Sequence, residues 1–166
     1  QLMEAYDGSI YGMGVVIGMK EQPLLEIVKS ISTEQEPVYV SNRNAPTQLT
    51  LSGTKNGINN VFSKIEKIAK TKMLAVSTPS HCPLFKDISI KLQEELNNLA
   101  LKSPKIPIIS NANARLLKDS ESIKKDLAES ISNPVQWYNA TSLLVEHGVE
   151  LFIELPPGDV LTKLAT

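Results

Sequence analysis

The stretch YGMGVVIGMKEQPLLEIVKSIS, residues 11 to 32, changes its hydrophobic period from that of a strand to that of a helix. Its first eight residues are apolar and bounded by glycine, as a buried strand would be. From residue 22 the apolar side chains recur at helical spacing, and Pro23 lies where a helix tolerates proline, in its first turn. The stretch therefore predicts a strand followed by a helix.

The next residues complete a known order of elements. Two alternating strands are predicted at 37–42 and 48–53, joined by the turn-rich sequence RNAPT. Helical period returns over 56–70, and a last strand is predicted at 72–77. The order strand-helix-strand-strand-helix-strand is that of a ferredoxin-like unit.

Beyond residue 78 the pattern is that of helices separated by single strands. The predicted helices are 83–101, 119–130, 133–148 and one that opens within PPGDVLTKLAT. The predicted strands are 105–110 and 149–155. Helices that alternate with single strands are typical of a parallel sheet. Two strands cannot make that sheet alone, so we expect a partner or a further part of the chain to supply the rest.

The composition is that of an ordinary globular protein. Of the 166 residues, 21% are charged and 42% are apolar, and the formal net charge is −1. This balance gives no long-range attraction to nucleic acid or to an anionic membrane, and we expect neither as a partner. A single cysteine excludes an internal disulfide and is typical of a reducing compartment, which predicts a cytoplasmic protein.

The two histidines and the cysteine are the candidates for chemistry. His81 lies at the boundary between the two patterns, where clefts form, although a lone histidine is more often a surface or core residue. Cys82 is interpreted as a small buried hydrophobe, because neighbours along the chain rarely face each other as a catalytic pair. His147 precedes a glycine at a predicted helix C-terminus and is interpreted as structural. These residues are too few and too scattered to indicate a metal site.

Several motifs, in this order and at these intervals, resemble the malonyl-CoA:acyl carrier protein transacylase family. They are NRNAP followed by QLTLSG, then PSHC, then NPVQW and GVELFIELPPGDVLTKL, and the resemblance covers essentially the whole chain. LMEAYDGSIYGMGVVIG and FIELPPGDVLTKLA are most similar to the acyltransferase (epsilon) subunit of malonate decarboxylase. The resemblance implies an α/β fold in which a ferredoxin-like small subdomain is inserted into an α/β-hydrolase-like acyltransferase subdomain. Residues 11–78 would then be the small subdomain, with 1–10 and 79–166 belonging to the large one.

The implied activity is that of an S-malonyltransferase, which moves malonyl from coenzyme A to an acyl carrier protein thiol through a malonyl-serine intermediate. Malonyl-CoA would be the substrate and a phosphopantetheine-type carrier arm the acceptor, with no permanently bound cofactor and no metal. The malonate decarboxylase version uses a carrier with a modified dephospho-CoA group, and its other subunits would be partners. The fatty-acid and polyketide transacylases are the alternatives within the family. A non-enzymatic ferredoxin-like binding or assembly module is the alternative outside it, which PSHC and the second half of the chain disfavour.

The resemblance also implies roles for particular residues. The histidine of the family's SH motif falls on His81, which would be the general base for a serine nucleophile. The backbone carbonyl that orients this ring falls on Ser130, at a position where the family often has glutamine. Asn42 and Asn44 would line the cleft, and Ser80 is the small residue that precedes the histidine in malonyl-type members.

Two parts of the family's site have no counterpart in the sequence. The GHSxG turn that carries the nucleophile, and the arginine that pairs with the malonyl carboxylate, would both lie before Gln1. The 166 residues contain no G-x-S-x-G sequence. We therefore expect the chain to be the C-terminal portion of an acyltransferase, inactive by itself.

Overall fold

The first elements of the fold occur in the predicted order. The computed structural model describes residues 9–165. It begins with β1 (Tyr11–Ile17), α1 (Glu21–Ile31), β2 (Val38–Ala45), β3 (Gln48–Thr54), α2 (Lys55–Ile65) and β4 (Lys70–Met73). The strands form one antiparallel sheet in the order β2-β3-β1-β4. This βαββαβ unit, residues 11–73, confirms the predicted ferredoxin-like arrangement. Residues 1–8, which belong to the predicted 1–10 segment, lie outside the described residues.

One apolar core joins α1 and α2 to a single face of the sheet. Its buried members are Val16, Leu24, Val28, Val38, Val40, Leu49, Leu51, Ile58, Val61 and Ile65. Alternation along β3 places Leu49 and Leu51 on this face, and Thr50 and Ser52 on the opposite one. Thr50 and Ser52 are also buried, so later parts of the chain cover the second face.

Two glycines of the sheet allow close approach of neighbouring elements. A Cβ added at Gly14 would lie 2.5 Å from Cζ of Phe62, so the glycine lets α2 pack directly on β1. Gly53 has a φ of +154°, and a Cβ there would lie 2.1 Å from the carbonyl oxygen of Pro37. The pairing of β2 with β3 at this point therefore requires a residue without a side chain.

The second half contains the predicted helices in shortened form. A 3₁₀ turn (Pro83–Phe85) leads into α3 (Lys86–Asn97), and the later helices are α4 (Ser120–Glu129), α5 (Trp137–Glu146) and α6 (Val160–Ala165). The predicted helix 133–148 begins only at Trp137, because Val135 uses its backbone N–H and carbonyl to bind β2 instead of a helix. None of the described helices has both the length and the apolar composition needed to cross a lipid bilayer.

The described part of this half does not form the predicted parallel sheet. The region expected as strand 105–110 contains β5 (Ile108–Ile109), which pairs antiparallel with β6 (Leu116–Leu117) in a small hairpin. The hairpin reverses direction at Ala114, whose φ is +55°, and the Asp126 carboxylate accepts a hydrogen bond from the Ser110 hydroxyl before the turn.

Residues 149–155 are not a strand in the structure. No backbone within residues 9–165 pairs with them as a ladder, and a strand without a partner has no hydrogen bonds to define it. Their alternating apolar side chains are left in solvent, with Leu151, Ile153 and Leu155 exposed by 74%, 76% and 79%. The alternation that predicted the strand is present, but the neighbour that it requires is absent from the described residues.

We expect the substitution Gly53→Ala to lower the free energy of unfolding by about 3 kcal/mol, from backbone strain together with the clash against Pro37. Gly18→Ala is the matched control, since Gly18 has a φ of +97° with no atom within 4 Å of the added Cβ. It should cost only about 1 kcal/mol. Urea unfolding of the two variants measures the difference, and equal losses would contradict the close approach of β2 and β3.

Candidate active site

The histidine loop, residues 78–82, holds His81 in an uncommon backbone conformation. Its φ is +59°, in the left-handed region that residues with a side chain rarely adopt. The backbone N–H of His81 donates to the carbonyl oxygen of Ile131 at 3.0 Å. Such a conformation persists only where the surroundings hold it, and it is commonest at functional sites.

The ring of His81 contacts the chain immediately after α4. Its Nδ1 lies 2.5 Å from the carbonyl oxygen of Ser130. Because a carbonyl oxygen can only accept a hydrogen bond, Nδ1 must carry the proton, and the neutral ring then has its lone pair on Nε2. The structure thus brings together the two residues that the sequence proposed as base and orienting carbonyl.

The Ser130 carbonyl lies at the C-terminal end of α4, a helix whose N-terminus is capped by Asp119. At the start, the Asp119 carboxylate accepts from the backbone N–H of Ser122 at 2.8 Å, and the hydrogen bonds from Ser122 lower the pKa of Asp119. Ser130 comes directly after the last residue of the helix, where carbonyl groups lack an intrahelical partner. These carbonyls carry the negative end of the helix dipole, which suits a ring that becomes positive when it accepts a proton.

The segment after Ser130 is held by the edge of the βαββαβ unit. The N–H of Val135 donates to the carbonyl oxygen of Ser41 at 2.9 Å, and the N–H of Arg43 donates to that of Val135 at 2.8 Å. Together they form a one-residue parallel bridge at Asn42. A bulge in β2 interrupts its pairing with β3 at this point and leaves the Ser41 carbonyl for Val135.

The predicted cleft asparagines lie on β2 at this junction. Asn42 is the residue at the bridge, and its Oδ1 accepts from the Ser41 hydroxyl at 3.1 Å. Asn44 lies two residues further along, and its Nδ2 donates to the Thr50 hydroxyl at 3.3 Å. Asn42 therefore lies where the two halves of the chain meet, whereas the side chain of Asn44 is hydrogen-bonded within the βαββαβ unit.

A second connection to the sheet holds the other side of the histidine loop. Ser80 is half-buried, and its carbonyl oxygen accepts from the hydroxyl of Ser52 at 2.8 Å. Ser52 lies within the motif QLTLSG, but the sequence assigned it no role. The alternation of QLTLSG could have placed it on the face opposite Leu49 and Leu51, but not beside the loop.

Cys82 is placed for packing. Its side chain is fully buried, and its Sγ donates to the carbonyl oxygen of Pro79 at 3.0 Å. Burial raises the pKa of the Cys82 thiol from 9.0 to about 11, because a thiolate would lose its hydration. The reactive thiolate is therefore strongly disfavoured near neutral pH.

The remaining candidates do not join this site. His147 lies just beyond α5, at the helix C-terminus where the sequence placed it. Within residues 9–165, no three His, Cys, Asp or Glu side chains are grouped so that they could hold a metal ion.

An open groove of about 470 Å³ lies between the βαββαβ unit and the loops that carry the site. Pro83 and Ser132 line the groove, and they follow His81 and Ser130 by two residues each. Arg43 also lines it, and its Nε donates to the Glu21 carboxylate at 2.7 Å. The charge of Arg43 is therefore balanced by Glu21.

Three comparisons with known proteins agree with one another. A family model described as acyl transferase domain matches residues 14–166. The malonyl CoA-acyl carrier protein transacylase of Staphylococcus aureus (strain MRSA252) is 34% identical over 99% of this chain and 54% of its own length. The crystal structure of FabD from Acinetobacter baumannii superimposes with a TM-score of 0.92 at 30% identity, over 99% of this chain and 53% of that one. A solved type II PKS acyl-carrier protein in complex with its malonyl-transacylase matches with a TM-score of 0.90 at 29% identity, over 98% of this chain and 53% of that one.

The chain spans about half the length of the curated relatives it matches. Within this chain the matched range includes the βαββαβ unit from residue 14 onward, the histidine loop and α4. The likeness to FabD-type structures confirms the mixed α/β fold class predicted from the sequence.

We expect the Cys82 thiol to react slowly with Ellman's reagent in the folded chain. The rise in its pKa from 9.0 to about 11 lowers the thiolate fraction at pH 8 about 100-fold, and burial restricts access further. The same chain in 8 M urea is the control, because Cys82 is its only cysteine. Equal rates in the folded and unfolded chain would show that Cys82 is an exposed thiol with an ordinary pKa, and would contradict its burial.

Proposed function

Because this chain belongs to the acyl transferase domain family, which it matches over residues 14–166, we propose that it supplies the general base of a malonyl-CoA:acyl carrier protein transacylase. The observation that carries the proposal is the contact between Nδ1 of His81 and the Ser130 carbonyl. This contact leaves Nε2 as the one ring nitrogen able to accept a proton from a nucleophile.

The reaction has two similar halves. In the first, Nε2 of His81 takes the proton of a serine hydroxyl as its oxygen attacks the thioester carbon of malonyl-CoA. The tetrahedral intermediate collapses, the bond to sulfur breaks, and the proton on Nε2 passes to the departing coenzyme A thiolate. In the second half, His81 takes the proton of the carrier thiol, whose sulfur attacks the malonyl ester. The serine oxygen leaves and recovers the proton, so no oxidant or reductant is needed.

We propose that the serine is supplied from outside the 166 residues. They contain no G-x-S-x-G sequence, and the resemblance assigns both the serine and the malonyl-binding arginine to positions before Gln1. Arg43 is a poor substitute for that arginine, because Glu21 already binds it. We therefore propose that this chain gives no turnover until the serine-bearing part of the domain is supplied.

The substrate is proposed to lie between the βαββαβ unit and the region after residue 79, the two subdomains inferred from the sequence. Asn42 stands at the bridge that joins them, and Asn44 lies further along the same strand, which supports a role for both in lining the cleft. Ser80, half-buried beside the base, is proposed to leave room for the malonyl group.

The proposed partner is an acyl carrier protein with a phosphopantetheine-type arm. It is supported by the solved complex of a PKS acyl-carrier protein with its malonyl-transacylase, which covers 98% of this chain. The finer assignment is the epsilon subunit of malonate decarboxylase, acting with the other subunits in the cytoplasm. It rests on the resemblance of LMEAYDGSIYGMGVVIG and FIELPPGDVLTKLA to that subunit.

In the complete enzyme, we expect His81→Ala to slow formation of the malonyl-serine by about 10²- to 10⁴-fold, the usual contribution of a general base. Cys82→Ala is the matched control at the next position, and it should stay within a few-fold of wild type because the thiol is buried and protonated. Rapid-quench measurement of the acyl-enzyme decides between them. Loss of activity in Cys82→Ala together with tolerance of His81→Ala would overturn the serine mechanism.

The choice of acceptor tests the finer assignment. A malonate decarboxylase subunit should load a carrier with the modified dephospho-CoA group about tenfold faster than one with phosphopantetheine, a discrimination worth about 1.4 kcal/mol. Competition between the two carriers for labelled malonyl measures the ratio. The opposite preference would assign the chain to fatty-acid or polyketide synthesis and leave the malonyl transfer itself intact.

A further inference from the structure

A hydroxyl group on the sheet reaches the backbone next to the proposed base. Ser52 lies on β3 with no exposed surface, and alternation turns its side chain away from the core that holds Leu49 and Leu51. Its Oγ donates to the carbonyl oxygen of Ser80 at 2.8 Å. Ser80 is joined to His81 by a single peptide bond, so this hydrogen bond acts directly on the backbone that sets the ring's position.

The histidine loop needs such support because His81 is in the left-handed conformation. A residue with a Cβ is unfavourable there, so the loop would relax unless the groups on both sides were held. On one side the N–H of His81 donates to Ile131 and its ring contacts Ser130. On the other side, within the part of the chain that the structure describes, the hydrogen bond from Ser52 is the one that joins β3 to the loop.

We infer that Ser52 is a positioning residue for His81, acting through the Ser80 carbonyl. Its hydroxyl holds the loop so that Nδ1 points at the Ser130 carbonyl and Nε2 remains available to the nucleophile. The kinetic part of this inference rests on the proposed function. The structural part, the effect of Ser52 on the ring of His81, stands independently of it.

A purely structural role is the competing explanation. A buried hydroxyl must have an acceptor, and the Ser80 carbonyl satisfies that need whatever His81 does. The two explanations predict different results when the hydroxyl is removed. Loss of a structural bond lowers stability alone, whereas loss of a positioning bond also changes which nitrogen of His81 carries the proton.

The first test observes the ring directly in the 166-residue chain. With ¹⁵N-labelled histidine, NMR at pH 9, where imidazole rings are neutral, reports which nitrogen is protonated, and His147→Gln assigns the two histidines. Wild type should show His81 mainly as the Nδ1–H tautomer, and Ser52→Ala should move it toward Nε2–H. Ser89→Ala, which removes a buried hydroxyl from α3, should leave the spectrum of His81 unchanged.

A second pair of variants separates the effect of losing the hydroxyl from the effect of losing the fold. Ser52→Thr and Ser52→Val have nearly the same shape and differ in the hydroxyl, so Thr should keep the wild-type tautomer and Val should lose it. Thermal unfolding of each variant is recorded beside the spectra. A shared tautomer in the Thr and Val variants, or an unchanged one in folded Ser52→Ala, would overturn the inference.

The kinetic test uses the complete enzyme. We expect Ser52→Ala to lower the rate of malonyl-serine formation by about 10- to 100-fold, as a misplaced catalytic group does, while KM for malonyl-CoA changes little. Ser52→Thr should restore the rate. An unchanged rate in Ser52→Ala, beside a slow His81→Ala enzyme, would overturn the kinetic role. Full activity in His81→Ala would instead remove the proposed function, and the tautomer measurement would still decide the role of Ser52 on the ring.

Discussion

The contact between a histidine ring and a main-chain carbonyl at the end of a helix is the constraint on which the site depends. Ser130 offers an oxygen that can only accept, so it selects one tautomer of His81 without any charged partner. A main-chain acceptor makes no demand on the side chain at that position. Serine can therefore stand at this position, since the hydrogen bond uses only the backbone.

The two distant segments that meet in that contact are both hydrogen-bonded to the same sheet. The edge of β2 binds the chain after Ser130 through Val135, and the hydroxyl face of β3 binds the histidine loop through Ser52. One face of the sheet is covered by leucine, isoleucine and valine, while on the other face β3 carries two buried hydroxyl residues, Thr50 and Ser52. Small side chains let a backbone approach closely, and their hydroxyls supply donors for its carbonyls.

The βαββαβ unit was readable from the sequence because each of its elements is completed within the unit. Periods of two and of 3.6 residues predicted the strands and helices in the order in which they occur. The ends were less accurate, since α2 stops at Ile65 and β4 at Met73. The hydrophobic period indicates which face of an element is buried, but hydrogen bonds with other elements determine the residue at which the element ends.

The part of the chain after residue 78 shows that a local hydrophobic pattern carries no information about which backbone lies beside it. Residues 149–155 have the alternation of a strand, yet strand structure depends on a neighbouring backbone that none of the described residues provides. His81 could be noted from its place between the two patterns, and its proposed role came from the likeness of PSHC to a family motif. Its left-handed backbone, the bridge at Asn42 and the hydrogen bond from Ser52 could not be foreseen. Sequence determined the elements of the βαββαβ unit and suggested the proposed type of chemistry, because hydrophobic period and side-chain type are local properties. Tertiary structure alone decided which carbonyl meets which ring nitrogen, because that contact joins residues 49 positions apart in the chain.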